Sequence, residues 1–142
     1  MFVAEILKTK GNAVFSIAPY LTVARACEEL ELKRVGAMVV RDGETVVGVF
    51  SERDVVKALA ADGPSALNRP VGDYMTAKVI FAEPGEAMSA LMTRMTDRRI
   101  RHLPVMDGGR LVGVISIGDV VKCQIAEHAR EAESLRTYIT AG

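Results

Sequence analysis

Val49-Phe50-Ser51-Glu52-Arg53-Asp54-Val55-Val56-Lys57 returns, 65 residues on, as Val114-Ile115-Ser116-Ile117-Gly118-Asp119-Val120-Val121-Lys122. The offset runs outward from this stretch without gaps. It pairs Gly48 with Gly113, Asp42-Gly43 with Asp107-Gly108, Arg34 with Arg99, and Pro19 with Pro84. Between residues 14–57 and 79–122, 14 of 44 positions are identical, and many others exchange one apolar residue for another. Self-similarity at one fixed period marks internal duplication. It implies two similar units related by an approximate twofold axis.

Each copy reads alike. A short strand (Val14-Phe15; Val79-Ile80-Phe81) precedes an amphipathic helix. The apolar positions of that helix are Val23, Ala26, Cys27 and Leu30 in one copy and Met88, Leu91, Met92 and Met95 in the other. Both sets fall at i, i+3, i+4, i+7, which is one helical face. Two strands joined at Asp-Gly follow, a hairpin signal: 37–40 with 46–50, and 103–106 with 111–115. A second helix opens after Ser51 or Ser116. The expected fold is therefore α/β of the α+β kind: two β-α-β-β-α repeats, related by a pseudo-twofold, and a long C-terminal helix. The boundaries are 8–66 for the first repeat, 67–77 for a turn-rich linker, 78–134 for the second repeat, and 135–142 for the helix end and tail. In that last helix Val121, Ile125, His128, Ala132, Leu135 and Ile139 alternate spacings of four and three, a coiled-coil-like seam. From Gly118 to Thr140 it would span roughly 33 Å. The seam either covers the chain's own core, together with Phe2–Leu7, or meets the same helix of another subunit.

Composition narrows the function. The 142 residues hold 18 Lys+Arg against 18 Asp+Glu, a formal net charge of zero. That argues against holding nucleic acid, or an anionic membrane, by bulk charge. Hydrophobic residues are 49%, enough to build a core. No apolar run approaches the 18 or so residues of a membrane span. The start, MFVAEILKTKGN, does not read as a signal peptide, so a cytoplasmic protein is expected. There is no Trp and there are seven Phe and Tyr, too few for a base-stacking platform. Cys27 and Cys123 fit neither a disulfide framework nor a zinc site. With His102 and His128 they share no metal-ligand spacing, so no metal is expected.

The repeat order, with Gly-x-x-Ser-x-x-Asp at each closing helix (Gly48 to Asp54; Gly113 to Asp119) and Arg101-His102-Leu103-Pro104-Val105, resembles the tandem CBS-domain protein, or Bateman module, of the standalone two-repeat type. The resemblance spans about residues 8–130. It implies two units packed through their sheets, with two clefts for an adenine nucleotide (AMP, ADP, ATP) or for NAD(H) or S-adenosylmethionine. It also implies flat homodimers, and a regulatory rather than a catalytic role.

The motif residues have matching chemistry. Ser51 and Ser116 stand where a strand passes into a helix, whose free N–H groups and partial positive charge suit a phosphate. Asp54 and Asp119 are acceptors that can take both hydroxyls of a ribose diol. Ser-x-x-Asp also reads as a plain capping box. Gly48 and Gly113, inside strands, allow another backbone to come close. Arg98, Arg99, Arg101 and His102 form the densest basic cluster. Arg98 and Arg99 end a helix, where cations favour the dipole. Arg101 and His102 are therefore the phosphate candidates, because an Arg fork pairs two phosphate oxygens. The first repeat has Gly36-Ala37 there and offers Arg53 instead, so one tighter and one weaker site are expected. Adenine is placed against Phe15 and Ser16 or against Val79, Ile80 and Phe81.

Three functions compete. The first is an energy- or redox-sensing module that signals by conformation or dimerisation to a separate, unidentified protein. The second is an assembly module with unoccupied clefts, its acidic Glu28, Glu29, Glu31 face opposed to Thr93, Arg94, Thr96 of the other repeat. The third, an enzyme, is disfavoured: neither a phosphate loop of the Gly-x-x-x-x-Gly-Lys type nor a nucleophile–base set is recognisable.

Overall fold

Thr22 starts the first long helix because its hydroxyl accepts the N–H of Arg25 at 3.2 Å, which satisfies one orphan donor. The computed structural model describes residues 1–11 and 14–141. The elements of its N-terminal part are α1 (Val3–Lys10), β1 (Ser16–Ile17), α2 (Val23–Lys33), β2 (Ala37–Asp42), β3 (Thr45–Ser51) and α3 (Glu52–Asp62). Two 3₁₀ turns follow, Gly63–Asn68 and Val71–Asp73. The C-terminal part holds α4 (Met88–Arg98), β4 (His102–Asp107), β5 (Arg110–Ser116) and α5 (Ile117–Ala141). Among the described residues, no helix is long and apolar enough to cross a membrane.

The chain divides into two compact units. One is Ala13–Phe81; the other joins Ala82–Gly142 to Met1–Asn12. In the first unit, β2 and β3 pair antiparallel, and β1 joins β2 in parallel, Ser16 facing Val39 and Ile17 facing Val40. Ile17, Val23, Ala26, Leu30, Met38, Val40, Phe50 and Val71 make its core. The apolar face read from the sequence is the buried one: Val23, Ala26 and Leu30 are covered, and Cys27 is half-buried. Burial pushes the Cys27 thiol up.

In the second unit β4 and β5 form the matching hairpin, closed by Gly108 and Gly109 at φ +56° and +82°. Two consecutive positive φ values define the turn type whose twist suits a hairpin, and glycine takes them at no steric cost. Here α1 packs on β5 and α5 and buries Val3, Ile6 and Leu7. The N-terminal segment thus packs on α5, but the seam residues Val121 and Ile125 stay exposed, so the seam itself does not cover this core.

The two expected opening strands differ. The first lies at Ser16–Ile17, just after Val14-Phe15. The second, expected at Val79-Ile80-Phe81, shrinks to one parallel bridge, Ala82 with Val105. Pro104 explains the loss. Its counterpart in the first unit, Val39, donates its N–H to Phe15 O at 3.4 Å and extends the parallel ladder. Proline has no N–H to give. The ladder therefore stops at Ala82, which donates to Pro104 O and accepts from the Met106 N–H, both at 2.9 Å.

Candidate functional site

In the first unit, Ser51 ends β3 and caps α3. The Asp54 N–H donates to Ser51 Oγ at 3.3 Å, and the Ser51 N–H donates back to Asp54 Oδ2 at 2.9 Å. This is the reciprocal capping box. The Ser51 hydroxyl also donates to Asp54 Oδ2 at 3.1 Å, and the Thr76 hydroxyl donates to Oδ1 at 3.3 Å. Asp54 is only 5% exposed, and every donor around it is neutral.

Gly48 makes the Thr76 contact geometrically possible. Val49 and Thr76 exchange backbone hydrogen bonds at 3.0 and 2.9 Å, which lays the segment after Val71–Asp73 across β3. A Cβ at Gly48 would lie 2.9 Å from Thr76 O and 2.7 Å from Met75 Sδ, closer than real contacts allow. The candidate adenine residues Val79, Ile80 and Phe81 follow Thr76 in the chain by three to five positions. Val79 and Ile80 are half-buried and Phe81 is exposed. Phe15 carries the Lys33 ammonium 5.0 Å from its ring centroid, and Ser16 Oγ accepts from Arg41 Nε at 3.1 Å and Nη2 at 2.9 Å.

The second unit repeats the box with different surroundings. The Ser116 N–H donates to Asp119 Oδ2 at 2.8 Å, and the Asp119 N–H donates to Ser116 Oγ at 3.2 Å. Here the third partner is charged. Lys10 Nζ, at the end of α1, donates to Asp119 Oδ2 at 2.6 Å and to Val114 O at 2.5 Å. Burial pushes the Asp119 carboxyl up; Lys10 and the Ser116 N–H and hydroxyl together outweigh it and hold it below the usual carboxylate value. Gly113 opens the space, since a Cβ there would lie 2.5 Å from Leu7 Cδ2. The close approach expected at both glycines is therefore made by backbone at Gly48 and by the Leu7 side chain at Gly113.

The register of β4 on β5 sets His102 opposite Ser116, and the Ile117 N–H donates to Arg101 O at 2.8 Å. Arg101, His102, Ser116 and Asp119 are thus brought to one end of one hairpin. In the first unit Gly36, Ala37, Ser51 and Asp54 take the same places, with Ala37 opposite Ser51 and the Glu52 N–H on Gly36 O at 3.0 Å. Arg53 is exposed on the first turn of α3. Arg98 ends α4, and Arg99, like Arg34, takes the left-handed conformation that closes its helix (φ +52° and +54°). Lys10 and Thr76 were not anticipated. Carrying the 65-residue offset upstream would have flagged the region, for it pairs Ile6 with the equally buried Val71 and Lys10 with Met75.

Two other features remain, the first of which shares Gly36 and Glu52 with the junction of the first unit. A cavity of about 380 Å³ is lined by Cys27, Leu30, Glu31, Arg34, Val35, Gly36, Glu52 and Val55. It includes none of the predicted ligand residues, and its charged lining is Glu31, Glu52 and Arg34. On the acidic helix face, Arg25 pairs with Glu28 and Glu29 at 2.6 and 3.0 Å, and Arg94 is held by Glu86 at 2.6 Å. The opposed charges noted between the repeats are thus answered locally.

Comparison with known proteins agrees with the repeat. The CBS domain family matches twice, over residues 3–61 and 71–126. The mitochondrial CBS domain-containing protein CBSX3 of Arabidopsis thaliana is 34% identical over 149 residues, covering 99% of this chain and 72% of its own. The crystal structure of the CBS-domain containing protein ATU1752 from Agrobacterium tumefaciens superposes with a TM-score of 0.86 at 41% identity, over 87% of this chain and 99% of that one. The CBS domain pair of protein MJ0100, crystallised with 5′-methylthioadenosine and S-adenosylmethionine, shares the fold at a TM-score of 0.79 and 22% identity, over 89% of this chain and 98% of that one. Two matched copies in tandem, each closing on its own Gly-x-x-Ser-x-x-Asp strand-to-helix junction, place this chain in the CBS-domain family as a CBS-domain pair.

Proposed function

We propose that this CBS-domain pair is a regulatory module that binds an adenosyl ligand (AMP, ADP, ATP, NAD(H) or S-adenosylmethionine) and passes its occupancy, through conformation or dimerisation, to a separate protein. The observation that carries the reading is the Asp54 site. A buried carboxylate is held at a helix N-terminus by neutral donors, one of them the hydroxyl of Thr76 from the strap laid across β3. A ribose diol offers two donors to such a carboxylate, and the Thr76 hydroxyl is the partner it would replace. The fold's adenosyl-bound relative supports the ligand class. In the other unit Arg101 and His102 stand at the same junction as Ser116 and Asp119, where they suit a phosphate.

The sites are unequal in this reading. Among the described residues the donors to Asp54 are neutral, whereas a ribose at Asp119 must displace the Lys10 ammonium. The tighter site is assigned to Ser51, Asp54, Phe15, Ser16 and Val79–Phe81, with Arg53 available to a phosphate. A cytoplasmic setting goes with a nucleotide sensor, although the similar plant protein is mitochondrial.

The test is a thermal-shift panel over these ligands and 5′-methylthioadenosine, followed by calorimetry on each hit. At least one ligand should raise Tm, and Asp54→Asn should weaken its binding more than Asp119→Asn. No shift with any ligand would favour the assembly reading, which the internally satisfied capping boxes also suit. Two identical, independent sites would sink the asymmetry alone.

A further inference from the structure

α5 is 25 residues long, and its two halves live in different surroundings. The first half packs on β5, α1 and α4 and buries Val120. The N-terminal ammonium reaches Glu127 at 3.7 Å. Beyond Glu127, every described residue from His128 to Ala141 is exposed. A bare helix of that length is marginal in water, because its stability ordinarily comes from packing an apolar face.

An exposed apolar stripe runs through both halves of α5. Val121, Ile125, Leu135 and Ile139 are 45%, 64%, 61% and 69% exposed and lie on one stripe with His128 and Ala132. The 4-3-4-3-4 spacing assigns Val121, His128 and Leu135 to heptad position d, and Ile125, Ala132 and Ile139 to position a. On this register Glu131 falls at g and Arg136 at e. In a parallel, in-register pair, a g residue faces the e residue five positions on in the other helix, so Glu131 meets Arg136 twice by symmetry. In an antiparallel pair, g faces g and e faces e, so Glu131 and Arg136 do not meet across the seam. Arg136 lies 3.3 Å from Glu133 of its own helix, but an exposed pair of this kind contributes little and does not hold the guanidinium back. A twofold interface requires one surface complementary to itself. This stripe is complementary to itself in charge and in spacing, which an unrelated partner would not require.

We propose that the second half of α5 pairs with the same helix of a second copy of this chain, as a parallel two-stranded coiled coil in which Glu131 of each chain faces Arg136 of the other. The outer layers, Ile125, Leu135 and Ile139, supply most of the contact. His128 and Ala132 make small central layers, so the pair is weak alone and is helped by anything that brings two copies together. The pairing gives the dimerisation arm of the functional reading a concrete surface, and its test needs no ligand, so the two can fail separately.

The experiment uses the full chain with Cys27→Ser and Cys123→Ser. Leu135→Cys, at position d, should form a disulfide-linked dimer under mild oxidation at least about tenfold faster than Thr137→Cys, at the outward f position. Adding Glu131→Arg to Leu135→Cys should slow the cross-link several-fold, roughly the effect of setting like charges at e and g, and Glu131→Arg with Arg136→Glu should restore it. Equal rates at 135 and 137 would overturn the coiled coil. A cross-link at 135 that ignores Glu131→Arg, or that the double exchange fails to rescue, would overturn the parallel register.

Discussion

Lys10 and Asp119, separated by 109 positions in sequence, meet at 2.6 Å, while the counterpart Asp54 meets Thr76. One internal repeat thus answers its helix-capping carboxylate with a full positive charge and the other with a hydroxyl. The difference has consequences for stability, for pH response and for the order in which ligands would fill the sites.

The ion pair should be readable in acid. The folded Asp119 carboxyl sits below its unfolded value, so its contribution is complete above roughly pH 4 and is lost as pH falls through the folded value. Lys10→Met should lower stability at pH 7 by about 1 kcal/mol, since both groups are partly exposed. It should also shrink the difference in stability between pH 7 and pH 3, followed by urea unfolding. An unchanged pH profile would show that the pair contributes nothing.

The two strand glycines should respond unequally to alanine. At Gly48 the added carbon meets Thr76 backbone, which cannot yield without moving the strap. At Gly113 it meets the far end of the Leu7 side chain, which can rotate. Gly48→Ala should cost about 2–3 kcal/mol and Gly113→Ala about 1 kcal/mol or less. The reverse order in chemical denaturation would contradict the described packing.

Arg34 and Arg99 both close their helices at positive φ, an arrangement that costs a residue with a Cβ about 1 kcal/mol. Arg34→Gly and Arg99→Gly should each raise stability by roughly 0.5–1 kcal/mol after the entropy of the unfolded glycine is counted. Calorimetric Tm values for the two variants measure this.

α1 should behave as core. Ile6 is 1% exposed, and Ile6→Ala should cost about 2–4 kcal/mol. A cost near zero, with rapid amide exchange at Val3–Lys10, would show a loosely attached tail instead.

Local chemistry made much of this molecule legible before its structure. The helical faces of α2 and α4, the Asp-Gly hairpins and the two Ser-x-x-Asp junctions are each written in short stretches, and the 65-residue period is their recurrence. Composition and spacing alone are enough to read them. The short second opening strand was hidden because its cause is a missing donor on a neighbouring strand, at Pro104. Lys10 and Thr76 were harder to see: both lie outside residues 14–57 and 79–122, where the self-similarity is plain, and the bare offset points to their region but not to the contacts they make. Whether Ser-x-x-Asp is a cap or a ligand clasp is likewise undecided by pattern, since the residues that form the box are the ones a ribose would use.

The unit containing the second repeat is assembled from both ends of the chain. During synthesis the N-terminal unit's residues emerge as one continuous run and can close on themselves. The segment that carries Val3, Ile6 and Leu7 leaves the ribosome ahead of that run, yet it finds its apolar seat only after β5 and the start of α5 have been made. For several seconds of elongation those side chains have nowhere native to go. Folding of the second unit is then a loop closure across 109 positions, the separation of Lys10 and Asp119, and its rate should carry the entropy of that closure.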